Sequence, residues 1–318
     1  MNSIGKKFRL NIWGESHGEA VGITIDGCPA GIKLNQELLL NDIARRKSGT
    51  KGTTPRIEQD KPIILSGVYN GYTTGAPITV MVENNNIKSK DYENMPFRPG
   101  HADFVANYKY QGFNDPRGGG HFSGRLTLPL VIAGAIAKQI IPDINIKAHI
   151  KEVAGSTDIE KAIDKAIANN DSIGGIVECC ADNLPIGLGE PFFDSVESII
   201  SHLAFSIPAV KGIEFGSGFA SALMTGKEHN DLISDKKGKT ITNNAGGING
   251  GITNGNQLIF RIAVKPTSSI STPQQSYNQI TNKVEQFSIG GRHDVCIALR
   301  VPVVLEAITA IAIAELSL

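Results

Sequence analysis

The sequence of 318 residues lacks several features that would point to common classes of protein. Its 31 basic and 31 acidic side chains cancel, so no net charge attracts it to nucleic acid or to an acidic membrane. No apolar run reaches the length of about 18 to 20 residues that a membrane span needs, and the first residues, MNSIGKKFRLNIWG, lack the apolar core of a signal peptide. We therefore expect a soluble, cytoplasmic protein that binds neither nucleic acid nor membrane.

Cysteine is scarce, and none of the four cysteines has C-x-x-C spacing. Cys28 and Cys296 stand alone, whereas Cys179 and Cys180 are adjacent in a strand-like run, where neighbouring side chains point to opposite faces. No H-E-x-x-H motif, EF-hand or Cys/His cluster occurs. The sequence predicts no metal site, and we expect free thiols in a reducing compartment.

Glycine, in contrast, is abundant and clustered in loops. It makes up 35 of the 318 residues, about 11%, against a usual share of about 7%. Between these loops, strand-like and helical patterns alternate. Strands are expected over 8–14, 20–27, 76–84, 174–181, 258–266 and 294–302, and helices over 35–47, 126–141, 156–170, 191–207 and 302–316. Because the strands occur in pairs more often than in strict β-α-β order, we predict an α+β fold, a largely antiparallel sandwich with helices, in one domain over residues 1–318.

The motif GESHG, residues 14–18, matches the G-x-S-x-G turn that carries the nucleophilic serine of many hydrolases. That turn requires a preceding parallel strand within an established sheet and a helix after it. Only 15 residues precede Ser16, and the following EAVGITIDG reads as a strand. The sequence therefore argues against a nucleophilic role for Ser16, and the hydrolase stays a minor alternative.

Arginine, glycine and histidine recur together in the polar loops. The segments are RRKSGTKGTTPR (45–56), FRPGHADF (97–104), DPRGGGHFSGR (115–125), NNAGGINGGITNG (243–255), KPTSS (265–269) and GGRHD (290–294). Arginines match phosphate and carboxylate oxygens, glycine-rich turns let backbone N–H groups approach a ligand, and histidines move protons near neutral pH. Neither the P-loop nor the G-x-G-x-x-G register is present. The residues alone predict a multiply anionic small molecule, with room for a phosphorylated planar cofactor.

These loops carry a resemblance to the chorismate synthase family. Motifs similar to those of the family run in the same order from Trp13–Gly18 through RPGHAD, GGGHFSGR, AGAIAK, NNAGGINGGITNG and KPTSSI to GRHDVC. The resemblance implies a lyase that converts 5-enolpyruvylshikimate 3-phosphate to chorismate by anti 1,4-elimination of phosphate and a ring proton. It also implies a requirement for reduced FMN, possible use of NADPH as reductant, and a homotetramer with a β-α sandwich core.

The resemblance further implies roles for individual residues. His17 is expected to protonate the departing phosphate, His101 to handle protons at the flavin, and Asp294 to act as the base for the ring proton. Residues expected to hold the flavin are His121, Phe122, Ser123, Pro208, Ala209, Gly250, Lys265, Pro266, Thr267, Ser268, Ser269 and Arg292. Residues expected to bind the phosphate of the substrate or of NADPH are Arg45, Arg46, Lys51, Arg117 and Arg125.

The chain departs from the family pattern at two places. His121 and Phe122 replace the Arg-Ser of many relatives, so a permanent positive charge is exchanged for a titratable group. The basic loop lacks the usual proline, is one residue shorter, and has Lys51 where others place an arginine. Besides the hydrolase, a second alternative function is a non-catalytic protein that binds flavin or another anion. Retention of His17, His101 and Asp294 argues against that alternative.

Overall fold

The computed structural model of this chain describes residues 1–55, 58–86, 96–290 and 293–318. Its helices are α1 Gln36–Arg46, α2 Asp103–Lys109, α3 Thr127–Ile140, α4 Ile159–Ala168, α5 Val196–Ala204, α6 Gly226–His229 and α7 Val301–Ser317. Its strands are β1 Ser3–Ile4, β2 Arg9–Gly14, β3 Ala20–Asp26, β4 Ile63–Ser66, β5 Val68–Tyr69, β6 Tyr72–Thr73, β7 Ile78–Glu83, β8 Asn145–Val153, β9 Gly175–Asp182, β10 Val210–Phe215, β11 Ile248–Asn249, β12 Ile252–Thr253, β13 Leu258–Val264, β14 Gln274–Asn278 and β15 Lys283–Phe287.

Two antiparallel sheets enclose a double layer of helices. The first sheet has the order β1-β2-β3-β7-β4, and the second has the order β10-β13-β9-β8. Helix α3 packs on the first sheet through β3, α7 packs on the second through β8 and β9, and α3 and α7 pack on each other. The predicted α+β sandwich with largely antiparallel sheets is confirmed.

The contact between α3 and α7 depends on small residues. A methyl group on Gly134 would lie 2.3 Å from the Cβ of Ala307, so the two helices approach too closely for any larger side chain. Both helices are apolar on nearly all sides, as expected of helices that are covered by packing on every face. The segment Ile297–Ser317 is also long and apolar enough for a membrane span, but 78% of its most apolar stretch is buried inside the protein. Its hydrophobicity is accounted for by this core position.

Five of the six predicted strands are present within a few residues of the expected bounds, but the expectation for 294–302 is wrong. Ile297–Arg300 forms a 3₁₀ turn, and Val301 begins α7. The apolar run there suits a buried strand or a buried helix equally, and Pro302 decides between them because it lacks the N–H that a sheet uses and fits a first helical turn. All five predicted helices are present, with shorter ends for the helices expected over 156–170 and 191–207.

Helix α1 places two consecutive arginines beside the loops of interest. The Asn35 side chain caps the helix and accepts hydrogen bonds from the N–H groups of Glu37 at 3.0 Å and Leu38 at 3.3 Å. At the other end, the guanidinium of Arg300 donates to the carbonyl of Arg46 at 3.1 Å. The helix therefore ends against the start of α7, with Arg46 buried and Arg45 half-exposed.

Candidate active site

The triple glycine of the loop 117–122 lies between two of the predicted catalytic histidines. Gly118 and Gly119 have φ angles of 61° and 83°, which glycine adopts without steric cost. A methyl group on Gly118 would lie 2.5 Å from Nε2 of His17, and one on Gly119 would lie 3.4 Å from Nε2 of His101. Both imidazoles therefore pack directly on this backbone, and the absence of side chains at the two glycines is what makes room for them.

Three further contacts fix this loop against the N-terminal segment. The N–H of Ser16 donates to the carbonyl of Gly120 at 3.1 Å. Nδ1 of His121 lies 2.8 Å from the carbonyl oxygen of Gly14, and Nε2 lies 3.1 Å from the Asn2 side chain. His121 is thus bound to the edge of β2. The Ser16 backbone therefore joins two loops. This suits a role in positioning the adjacent His17 better than a role as a nucleophile.

A small cavity of about 160 Å³ opens beside the loop 117–122. Among the described residues, five cationic and three acidic side chains line it, which leaves an excess of two positive charges. They are Arg46, Lys47, Arg98, Arg125 and Arg300, with Glu58, Asp60 and Asp294, and the lining also includes Ser16, Gly118, Ser123 and Thr267. The predicted Arg46, Arg125, Ser123, Thr267 and Asp294 are therefore brought together in one place. The charge excess suits a multiply anionic ligand.

Two of these arginines are almost completely buried around Asp60. Arg46 lies 3.5 Å from an Asp60 oxygen and donates to the Thr127 hydroxyl at 3.2 Å, and Arg125 donates to Asp60 and, at 2.9 Å, to Asn84. Burial would raise the pKa of Asp60, but the charges of Arg46 and Arg125 hold it below its ordinary value. The single negative charge of Asp60 thus only partly neutralises the two positive charges of Arg46 and Arg125.

Asp294 is held by both of its oxygens at the edge of the same cavity. Oδ1 accepts the backbone N–H of Thr54 at 2.9 Å, and Oδ2 accepts from the Arg300 guanidinium at 3.3 Å. The Asp294 side chain is 12% exposed. The basic loop and the 3₁₀ turn before α7 therefore fix the orientation of this carboxylate.

A second cavity of about 300 Å³ adjoins the first, and Arg98 lines both. His101, Asp103, Phe122 and Gly119 contribute to its walls. The Phe122 ring lies 6.3 Å from the ring of Tyr110. An aromatic ring and a histidine in the lining give this cavity the character of a site for a planar group.

The loop Lys265–Ser269 lies against both the 208–209 turn and the histidine loop. The N–H of Lys265 donates to the Ala209 carbonyl at 2.9 Å, and its ammonium donates to the Ser268 hydroxyl at 2.9 Å. Ser268 in turn donates to the Gly100 carbonyl at 2.9 Å. Desolvation and then the charge of Lys211 lower the pKa of Lys265. The predicted residues 208–209 and 265–269 are thus adjacent, next to the loop that carries His101.

Three of the predicted phosphate ligands are engaged in ion pairs elsewhere. Arg45 forms two hydrogen bonds to the buried Glu306, of 2.6 and 2.7 Å, behind the cavity. Lys51 pairs with Asp164 on α4. Arg117 pairs with its neighbour Asp115 at 2.8 Å. Their assignment as ligands stays a prediction, and each would have to leave its carboxylate to contact a phosphate.

Gly250 and Arg292 complete the set of predicted residues. Gly250 lies in the β11–β12 turn, which packs on the start of α5, where Val196 N–H donates to the Gly251 carbonyl at 3.0 Å. Gly247, at the base of this hairpin, lies beside Leu258 at the start of β13, whereas Lys265 follows the end of β13. The seven strand residues between these two points span about 20 Å. Arg292 lies outside the described residues.

Sequence reasoning missed four residues of this site. Arg98 and Asp103 belong to the quoted RPGHAD motif, but no role was derived for them. Asp60 sits in a charged loop segment, EQDKP, with no recognisable pattern, and Arg300 was placed in a predicted strand. A signal existed for Arg98 and Asp103, because a carboxylate two residues after a histidine and an arginine three before it are natural partners for an imidazole.

Comparison with known proteins shows the family to which the chain belongs. The chorismate synthase family model matches residues 8–318. A chorismate synthase of Chitinophaga pinensis is 64% identical over 321 residues, covering all of this chain and 97% of that protein, and one of Dehalococcoides mccartyi is 44% identical over 351 residues, covering all of this chain and 96% of that protein. A crystal structure of chorismate synthase superposes with a TM-score of 0.76 at 27% identity, covering 98% of this chain and 92% of the other. The chain therefore belongs to the chorismate synthase family and is a lyase of the shikimate pathway.

Proposed function

We propose that the two adjoining cavities bind 5-enolpyruvylshikimate 3-phosphate and reduced FMN, and that the residues around them carry out an anti 1,4-elimination that yields chorismate and phosphate. The observation that carries this proposal is the convergence of Arg46, Arg125 and Arg300 with Asp294 on one cavity, next to the backbone on which His17 packs. The substrate brings a phosphate and two carboxylates, which need several cationic partners, and its ring proton needs a base.

The burial of Arg46 and the lack of a partner for its Nε among the described residues support an anionic ligand in the cavity. Burial, and after it the charges of Arg300 and Arg125, lower the pKa of Arg46 to about 9, and its Nε is buried with no hydrogen-bond partner in the part of the chain that the structure describes. A buried donor without a partner costs about 1–3 kcal/mol, more when it is charged. A phosphate or carboxylate in the cavity would accept this hydrogen bond and offset the repulsion between the arginines.

The loop 265–269 fits the phosphate of the flavin, because Thr267 lines the first cavity and Ser269 accepts a hydrogen bond from Arg98, which lines both cavities. The Thr267 hydroxyl is buried with no hydrogen-bond partner among the described residues, and the neighbouring Lys265 ammonium is partly desolvated. Lys265 and Thr267 would hold the FMN phosphate, with Phe122 and His101 beside the ring system. When bound, reduced FMN supplies an electron transiently to help phosphate leave and then regains it, so the reaction has no net redox change.

Three side chains of this chain then move or hold protons. His17, buried against Gly118, gives a proton to the departing phosphate. Asp294, held by Thr54 and Arg300, accepts the ring proton. His101 exchanges a proton beside the flavin. Groups positioned in this way contribute about 100- to 10,000-fold each to turnover.

The proposal also covers the oligomeric state of the protein, its location in the cell and the source of its reducing equivalents. We expect residues 1–318 to form one domain that assembles as a homotetramer in the cytoplasm, with NADPH as a possible source of reducing equivalents. The side chains of Phe192 and Phe193, 85% and 90% exposed in the single chain, support an assembly that covers them. The separation of Gly250 from Lys265 within one chain also supports a site that includes a second copy.

An anaerobic assay tests the reaction. Chorismate is followed by absorbance with the enolpyruvyl phosphate substrate and dithionite-reduced FMN, and a parallel reaction replaces dithionite with NADPH. Turnover with dithionite-reduced FMN is expected, and the NADPH reaction then shows whether the chain reduces its own flavin. Binding of FMN without turnover in either reaction would contradict the proposal in favour of the non-catalytic flavin-binding alternative.

Variants in the same assay test the proton-transfer roles of His17 and Asp294. His17→Gln and Asp294→Asn should each lower kcat by at least about 100-fold, since each removes a positioned proton-transfer group. His149→Gln is a matched control, because the His149 side chain on β8 is 61% exposed, with its Nε2 3.7 Å from Glu178. Equal losses in all three variants would argue against these roles.

A further inference from the structure

Asp103 lies against His101 in a geometry that the proposed reaction does not explain. Its Oδ1 is 2.6 Å from Nδ1 of His101, and the two side chains are 18% and 21% exposed. Asp103 begins α2, yet its oxygens make none of the capping bonds of that helix. They are instead used entirely by His101 and by Arg98, so the role of Asp103 is not that of a helix cap.

Arg98 holds the carboxylate of Asp103 through three hydrogen bonds. Its backbone N–H and its Nε donate to Oδ2 at 3.1 and 2.7 Å, and its Nη2 donates to Oδ1 at 2.8 Å. Arg98 is itself buried, and its Nη1 donates to the Ser269 hydroxyl at 3.1 Å. Burial would raise the pKa of Asp103, but the hydrogen bonds from Arg98 and His101 hold it well below its ordinary value.

This arrangement determines which ring nitrogen of His101 carries the proton. An ionised carboxylate only accepts hydrogen bonds, so at 2.6 Å Nδ1 must be the donor. Nη2 of Arg98 also lies 3.0 Å from Nδ1, but a guanidinium cannot accept a proton, and its hydrogen bond goes to Asp103. The lone pair of neutral His101 is therefore on Nε2.

Nε2 lies on the Gly119 side of the ring. It is 3.4 Å from the position that a methyl group on Gly119 would take, and both His101 and Gly119 line the cavity of about 300 Å³. A neutral imidazole with the proton on Nδ1 thus presents a proton acceptor to the cavity. With the opposite tautomer the same ring would present a donor, and it could not accept a proton there.

We propose that Asp103 is a positioning residue that holds His101 in the Nδ1–H tautomer, so that Nε2 faces the cavity as a proton acceptor, and that Arg98 fixes Asp103 in this role. The consequence for turnover rests on the proposed function. The tautomer itself does not, because it is a property of the chain without substrate or cofactor and can be measured in that state.

The test compares wild type with Asp103→Asn. An amide has one oxygen and one NH₂ group, and the Oδ2 position faces two donors from Arg98, so the amide oxygen is expected there. The NH₂ group then faces Nδ1 of His101, which must accept, and the proton moves to Nε2. Asp26→Asn is the matched control, because Asp26 forms an Arg–Asp pair with Arg9 on the exposed surface of β2 and β3.

Tautomers are read from long-range ¹H–¹⁵N spectra of deuterated, ¹⁵N-histidine-labelled protein, with His101→Gln used to assign the signals. Wild type and Asp26→Asn should show His101 with a protonated Nδ1 and an unprotonated Nε2 at a pH where the ring is neutral. Asp103→Asn should convert most of the population to the Nε2–H form. It should also lower kcat by at least about tenfold with little change in KM, as found for other carboxylates that orient a histidine.

Two outcomes would overturn the inference, namely a protonated Nε2 in wild type, or an unchanged His101 spectrum in Asp103→Asn. Thermal unfolding of each variant separates a tautomer change from a loss of structure. A wild-type protein that shows the Nδ1–H tautomer but no turnover with reduced FMN supports the role of Asp103 and contradicts the proposed reaction. The failure of one is therefore distinguishable from the failure of the other.

Discussion

Replacing Gly118 by alanine should remove activity while leaving the fold largely intact. The added methyl group would lie 2.5 Å from Nε2 and 2.6 Å from Cδ2 of His17 and 3.0 Å from the Ser16 hydroxyl. Real contacts to a Cβ are not this short, so the imidazole must rotate away. Because the displaced atoms are the end of a side chain rather than backbone, the movement costs little stability, but it removes the proposed proton donor from its position.

The substitution should have two separate effects, a loss of stability from the backbone conformation and a loss of turnover from the displaced His17. Alanine at φ 61° costs about 1–2 kcal/mol of unfolding free energy, because the left-handed region is unfavourable for a residue with a Cβ. Gly155→Ala is the matched control: its φ is 74°, it is exposed, and a methyl group there contacts nothing within 4 Å. Both variants should lose similar stability.

Only Gly118→Ala should lose turnover, by about 100-fold or more, as for loss of a general acid. Urea unfolding and the anaerobic chorismate assay measure the two effects. If Gly118→Ala keeps turnover within about threefold of wild type, or Gly155→Ala loses as much, the positioning of His17 by this backbone is refuted.

Two further predictions concern buried groups outside the cavities. Glu306 accepts hydrogen bonds from Arg45 at 2.6 and 2.7 Å, Lys138 at 3.1 Å and the Ala148 N–H at 3.1 Å; burial would raise its pKa, but these partners hold it below its ordinary value. Glu306→Gln should cost about 2 kcal/mol at pH 7, a figure discounted because Arg45 is half-exposed. The difference from wild type in urea unfolding should shrink as the pH falls below the ordinary glutamate pKa of about 4.3 and then through the lower pKa of the native carboxylate; a pH-independent difference would contradict the charged network. Burial raises the pKa of all four thiols, that of Cys28 to about 11, and only Cys180 is not fully buried. Ellman's reagent at pH 8 should therefore label at most one thiol per chain before unfolding, and faster reaction of a second thiol would contradict this burial.

The sequence was informative about the framework because the core elements have strong periodic patterns. Helix α1 begins at the predicted cap Asn35, and β3 and β13 fall where the alternation of apolar residues indicated. The strand β8 was missed although its signal is present, because Ile146, Ala148 and Ile150 alternate there with Lys147, His149 and Lys151. The 294–302 segment was misassigned because a short apolar run does not distinguish a buried helix from a buried strand.

The candidate site was predictable in composition but not in arrangement. Motif resemblance indicated His17, His101 and Asp294, yet nothing in the chain order indicates that Arg300 and the Thr54 N–H would hold Asp294. The two consecutive arginines of α1 are equivalent in sequence. The helix turns one to Glu306 and the other toward Asp60, because side chains 100° apart face different neighbours. Such distinctions depend on tertiary packing, which local patterns do not contain.

The most direct test of the central claim is the affinity for 5-enolpyruvylshikimate 3-phosphate when the buried cation Arg46 is removed. Titration calorimetry with saturating oxidised FMN, under which no turnover is expected, compares wild type, Arg46→Met and the surface control Arg9→Met. If the small cavity binds the substrate phosphate, Arg46→Met should raise Kd by about 30-fold or more, the effect of losing a hydrogen-bonded charge, and Arg9→Met should leave it unchanged. A Kd for Arg46→Met within about threefold of wild type, in a protein that still folds, would contradict the placement of the phosphate in this cavity.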